Sequence, residues 1–159
     1  LRLIARNLPD YSSGHGAADT AGALMLAALL IGNGTDFTGS GLASALGHTI
    51  GARCKVANGL VKAIVLPHTI RFNAEATEGR LGDAVQAFGG PVTGGAEALV
   101  DACGDLFAQL DLPTRLRDIG VAREDLAYIA REAPDDFFFF QNPRRVTEDE
   151  LAALLDRCW

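Results

Sequence analysis

Apolar residues recur three and four apart along almost the whole chain, and no sustained two-residue alternation appears. That period belongs to helices with one buried face, not to half-buried strands. It predicts a short helix over Leu1–Leu8, stopped by Pro9, whose ring removes a donor and restricts the residue before it. A strong apolar helix follows over Ala17–Ile31, ended by Gly32-Asn33-Gly34, residues that tolerate a left-handed cap. Ser40–Ala52 is the next, with Leu42, Ala45, Leu46, Thr49 and Ile50 on one face. Asn58–Leu66 begins another, which Pro67 should kink or restart before His68–Ala74.

Downstream, Arg80–Phe88 and Gly94–Leu110 are helical, with Gly89-Gly90-Pro91 as the break between them. In the longer one Leu99, Cys103, Leu106, Phe107 and Leu110 share a face. Pro113–Ile119 is a short turn or helix capped by Gly120, and Glu124–Arg131 is a helix ending before Pro134. The last helix has the best start signal: Thr147 with Glu150 three residues on makes a capping box, and Leu151, Leu154 and Leu155 form its apolar stripe. Phe137–Phe140 fits neither period; it reads as an extended segment packed between helices or against a neighbouring domain, with ligand stacking as the alternative. The sum is an all-α bundle of about seven helices, taken as a single domain over residues 1–159.

Composition narrows the partners. The net charge is −6 and no long basic run occurs, which argues against nucleic acid and anionic lipid. The most apolar stretch, Ala21–Ile31, is too short to span a bilayer and lacks the flanks of a signal peptide, so a buried core helix is expected and no membrane partner. Cys54, Cys103 and Cys158 are an odd set without any CxxC, suited to reduced thiols in the cytoplasm. None has a His or cationic cluster beside it in sequence, so none is expected to be a nucleophile. The opening Leu1-Arg2-Leu3-Ile4-Ala5-Arg6, without Met and already helical in pattern, implies that something precedes it in the natural product.

Gly41–Asn73, GLASALGHTIGARCKVANGLVKAIVLPHTIRFN, carries the most specific signal. It resembles the metal-site region of the iron-containing alcohol dehydrogenase family. Four further landmarks follow in order: Asn7-Leu8-Pro9, Ala63–His68 with Arg71-Phe72-Asn73, Leu112–Leu116 with Ile119-Gly120-Val121, and Asn142–Thr147 before the final helix. The resemblance covers nearly the whole chain and implies the C-terminal helical domain of a dehydroquinate-synthase-like enzyme. It further implies an NAD(P)-binding α/β domain, which this chain lacks, and an active site in the cleft between the two. Gly32-Asn33-Gly34 and Gly39-Ser40-Gly41 follow helices, so they read as turns, not phosphate cradles.

In that family one metal-binding His, a second His a turn later and another metal-binding His fourteen residues after the first share this region. The matching positions here are Ser44, His48 and Asn58. The family's upstream Asp and His ligands would lie before Leu1. Gly47-His48-Thr49-Ile50-Gly51 looks closest to maleylacetate reductases, relatives that reduce without a metal. A hydroxyl and a carboxamide are weak replacements for two imidazoles, so no iron or zinc is expected.

His48 is therefore the candidate catalytic group, for proton transfer or substrate contact, against the alternative of a hydrogen-bonded surface histidine. Ser44 and Asn58 are candidate substrate-binding residues, or remnants of a disused site. His68, after a proline, is expected to bond a freed carbonyl, and His15, between glycines, to be exposed and inert. Arg71, Arg115, Arg144 and Arg145 could hold a carboxylate or form surface pairs. Two functions compete. One is the substrate side of an NAD(P)-dependent reductase of small carbonyl compounds, completed by a nucleotide-binding domain or subunit. The other is a non-catalytic binding or scaffold subunit. Either is expected to work against a partner surface, the nucleotide-binding half or another copy in a homo-oligomer.

Overall fold

A computed structural model describes residues 1–77 and 79–159. Among the described residues there are eight α-helices and no strand: α1 (Arg2–Ser12), α2 (Ala18–Thr38), α3 (Leu42–Cys54), α4 (Asn58–Phe72), α5 (Leu81–Ala87), α6 (Ala96–Gln109), α7 (Asp125–Glu132) and α8 (Glu148–Cys158). Short 3₁₀ turns lie at Leu116–Ile119, Ala133–Asp135 and Phe137–Phe139. The all-α expectation holds. Two compact units are formed, one by Leu1–Gly39 with Thr77–Asp111, the other by Ser40–Ala76 with Leu112–Trp159.

The unit holding α3, α4, α7 and α8 has the denser core. Leu42, Leu46 and Ile50 of α3 meet Val61 and Val65 of α4, with Leu116, Ile129, Leu151, Leu154 and Leu155 completing the cluster. These side chains are spaced three and four apart on each helix, so every helix turns a single stripe inward. The capping box opens α8 as the sequence predicts: the Thr147 hydroxyl accepts from the Glu150 N–H, and the Glu150 carboxylate accepts from the Thr147 N–H. Gly120, at φ +89°, ends the 3₁₀ turn before α7 in the left-handed region that glycine allows.

In the other unit, α1 packs on α2 and α5 on α6, with Val85, Leu99, Val100, Cys103 and Leu106 buried. Gly82 sits where the Val92 carbonyl passes so closely that no side chain would fit.

Three expectations are corrected. Pro9 lies inside α1, which runs on past it, and Pro67 lies inside α4, so no new helix starts there. Both helices pack on a neighbour, and tertiary packing outweighs the one donor each ring removes. Gly32-Asn33-Gly34 does not end α2, which continues to Thr38, where Gly39 at φ +71° stops it. The hydroxyls of Thr35 and Thr38 donate back to the carbonyls of Ile31 and Gly34 along this last stretch. α2 has 21 residues and an 18-residue window of mean hydropathy 1.2, so it is long and apolar enough to cross a membrane by length and composition alone. Nor is it a buried core helix: Met25, Leu29 and Leu30 are 69%, 71% and 60% exposed, and only Ala27 is buried.

The aromatic run divides by residue. Phe139 packs against the core and Phe138 is half-buried, while Phe137 and Phe140 are exposed. A tight 3₁₀ turn, not an extended segment, splits the rings between two directions.

Candidate functional site

Helix α3 seats the site, and its 100° step per residue decides which side chain faces where. Leu42, Leu46 and Ile50 point into the core. Gly47 and Gly51, one turn apart, form a notch against α4: the carboxamide of Asn58 sits over Gly51 and the aliphatic stem of Lys62 over Gly47. A methyl group on Gly47 would come within 2.8 Å of Cε and 2.9 Å of Cγ of Lys62. Next around the helix from Gly47, at roughly 60° and 100°, come Ser44 and His48. Both are half-buried.

Beyond His48 stands the segment from Asp136 to Phe138. Nδ1 of His48 is 2.9 Å from Oδ2 of Asp136, and the other carboxylate oxygen accepts the Phe138 N–H at 2.8 Å. The Phe138 ring lies against the imidazole, centroids 5.5 Å apart and planes tilted by 50°. One carboxylate therefore fixes both the histidine and the aromatic turn beside it. A carboxylate only accepts, so Nδ1 carries the proton and Nε2 is left for a ligand.

Helix α3 thus carries Asn58 and Lys62 of α4 packed on Gly51 and Gly47, and Asp136 and Phe138 against His48. Ser44 and His48 lie one turn apart on α3, and Asn58 packs on Gly51 of the same helix. Two of these residues lay outside the sequence reading. Asp136 is 88 positions from His48 and could be sensed only as an Asp capping the aromatic turn. Lys62 follows Asn58 by one turn, and its place depends on the Gly47–Gly51 spacing, which admits side chains that a larger residue would exclude.

The donor set does not fit a transition metal. Ser44 offers a hydroxyl and Asn58 a carboxamide packed on Gly51, so Nε2 of His48 is the one imidazole donor among these three positions. Among the described residues no three His, Cys, Asp or Glu side chains converge.

The remaining histidines lie apart. His15 is exposed, its Nδ1 3.0 Å from the Ser13 hydroxyl. His68 does not bond a freed carbonyl; it lines a cavity of about 800 Å³ with Arg71, Arg144, Glu150 and Arg157. Burial first, and then the charges of Arg71, Arg157 and Arg115, push its imidazole below the ordinary value. Arg144 is committed to structure: it bonds the Phe72 carbonyl and Glu150 and lies 3.5 Å over the Phe72 ring. Burial pushes the Cys158 thiol up to about 12, and Cys54 and Cys103 are also raised, so the thiols are poor nucleophiles.

Residues 1–159 match the family model described as the Fe-containing alcohol dehydrogenase family, C-terminal. The 1,3-propanediol dehydrogenase of Klebsiella pneumoniae is 31% identical over 159 residues, covering 97% of this chain and 41% of the relative. The lactaldehyde reductase of Escherichia coli (strain K12) is 32% identical over 149 residues, 91% of this chain and 39% of the relative. Among solved structures, a 1,3-propanediol oxidoreductase superposes with a TM-score of 0.91 at 31% identity, over 99% of this chain and 43% of that one. A maleylacetate reductase from Rhizobium sp. strain MTP-10005 superposes with a TM-score of 0.82 at 25% identity, over 99% and 43%. The chain spans less than half the length of these relatives.

Proposed function

The chain belongs to the iron-containing alcohol dehydrogenase family, matching its C-terminal helical region, and on that premise we propose that it is the substrate side of an NAD(P)-dependent reductase of small carbonyl compounds. The observation that carries this reading is the His48–Asp136 pair, one helical turn from Ser44 on α3. Asp136 accepts the Nδ1 proton and leaves Nε2 open, from which a protonated ring can hand a proton to a substrate oxygen as it gains negative charge. The Ser44 hydroxyl and Asn58 carboxamide supply neutral hydrogen bonds to the same polar ligand. The Phe138 ring lies beside the imidazole, tilted to it by 50°.

A nicotinamide cofactor supplies the hydride when bound. Its pyrophosphate needs a strand, a glycine turn and a helix N-terminus, and the described residues contain no strand. A nucleotide-binding domain or subunit must therefore provide that part, and no step here runs through a metal. Three free thiols accord with a reducing cytoplasm.

A second reading, a binding or scaffold subunit without catalysis, draws on Ser44 and Asn58 at the two ligand positions. One assay separates the two. The natural assembly, isolated through a tag on this chain, is offered NADH or NADPH and a panel of small aldehydes and ketones. We expect turnover that falls by about 10²–10⁴ in His48→Ala, the usual worth of a positioned acid, and is unchanged in His15→Ala. An intact assembly that turns over nothing with either cofactor favours the scaffold.

A further inference from the structure

We propose that the cavity around His68 binds a phosphate group, either as inorganic phosphate or on a small phosphate monoester. The inference does not depend on the reductase reading, because it uses none of the side chains at His48.

The basic side chains come from three places within one unit. His68 and Arg71 are three residues apart on α4, and so share a face. Arg157 stands in the last turn of α8, and Arg115 directly before the 3₁₀ turn Leu116–Ile119. Arg115 is fixed to α8, since its guanidinium donates to the Arg157 carbonyl at 2.8 Å. His68, Arg71 and Arg157 line the cavity of about 800 Å³, a volume within the usual range of small-molecule sites. Burial first, then the charges of Arg71, Arg157 and Arg115, disfavour protonation of the half-buried imidazole. All three guanidinium groups therefore lie within electrostatic reach of one ring.

Two carboxylates and a fourth arginine line the same cavity. Glu150 accepts from Arg144 and from the Thr147 N–H, both at 2.9 Å, so this pair is already satisfied. Glu75 is exposed, and none of the described ion pairs includes it or Arg157. Of Arg157, only the carbonyl takes part in the described side-chain hydrogen bonds. Cations gathered round one imidazole repel one another, and an anion seated among them relieves that. Phosphate suits donors arriving from several elements better than a planar carboxylate does. It offers three acceptor oxygens and about −1.5 to −2 charges near pH 7, and arginine matches it in geometry. Its charge would also favour the protonated form of His68, adding a further donor.

The chain has three histidines, His15, His48 and His68, so protein with isotope-labelled histidine gives three ring signals. Their pH titrations are followed in sodium chloride, inorganic phosphate, glycerol 3-phosphate or malonate at matched ionic strength. The chloride arm is needed because screening of the arginines alone lifts the His68 midpoint. Both phosphates should raise that midpoint above its chloride value and leave His15 still. Tighter binding of the ester assigns a phosphorylated small molecule, and tighter binding of inorganic phosphate assigns the free ion. Arg157→Gln should weaken phosphate about tenfold, the worth of one charge-assisted hydrogen bond. Arg157→Lys should keep part of the binding, and Arg80→Gln, in the other unit, should change nothing.

A His68 midpoint no higher in either phosphate than in chloride would overturn the proposal. So would malonate binding as tightly as both phosphates, or equal weakening by Arg157→Gln and Arg80→Gln. Should Arg157→Gln lose its dispersed amide spectrum, Arg157→Lys and the labelled wild type decide. Neither result bears on turnover, so a reductase without this site and a phosphate site without a reductase are told apart.

Discussion

His68 shows how a single side chain can be read from its surroundings. It is half-buried among arginines, and its partial burial first, then their charges, hold its imidazole below the ordinary value. In the unfolded chain the same ring takes a proton near pH 6.5. As pH falls from above that value through the lower folded one, the unfolded state binds more protons and native stability is lost. The expected outcome is a urea midpoint that declines on acidification across this window, with a smaller decline in His68→Gln. Cys158 sets the opposite case. With its thiol pushed up to about 12 inside the core, native protein at pH 8 should resist iodoacetamide there, and peptide mapping after brief exposure checks it. Raised folded pKa means that any stability this thiol contributes is complete below the unfolded value and is lost as pH climbs toward 12.

Elements explain which parts of the fold were legible. The α8 start was legible because a capping box is local: Thr147 and Glu150 satisfy each other's backbone within one turn. Thr147→Ala should therefore cost about 1 kcal/mol in chemical denaturation, since the hydroxyl that caps the Glu150 N–H and bonds its carboxylate is lost. The α3 face was legible for the same reason, because Ser44 and His48 are a turn apart and a periodic core stripe sits behind them. What escaped was set by distant packing. Pro9 and Pro67 are strong local breakers, yet the helices carry through them because α2 and α3 pack alongside. Glycines 32 and 34 end nothing, since no left-handed residue occurs until Gly39. Asp136 lies beyond any local pattern, and its partnership with His48 exists only once the aromatic turn is folded. Gly82, unnoticed in the sequence, is fixed by the backbone of Val92. A Cβ there meets a carbonyl that cannot swing aside, so Gly82→Ala should destabilise the unit of α5 and α6 by about 1–3 kcal/mol.

At the scale of the whole molecule, the chain must be weighed against relatives of which it spans 41% and 39%. Helix α2 presents Met25, Leu29 and Phe37 to solvent, the last 87% exposed. A shallow groove along it is lined by Met25, Ala28, Leu29, Gly32, Asn33 and Asp36. Apolar exposure of this kind marks an interface or an aggregation hazard. A bilayer would strand the Asn33 carboxamide and the Asp36 carboxylate on that same face, where each unsatisfied polar group is costly. A protein surface can meet both kinds of residue, as interfaces with an apolar centre and polar rim do. We propose the nucleotide-binding half as the occupant of this face, since the reductase reading needs a cofactor-bearing partner. Taken alone, the chain should then self-associate in sedimentation as its concentration rises, and adding the nucleotide-binding polypeptide should replace that with a defined complex. Leu29→Lys should weaken the complex while the α-helical circular dichroism of the chain stays intact. A dilute, well-folded monomer with no partner in a native pull-down would count against this, as would flotation of the chain with lipid vesicles.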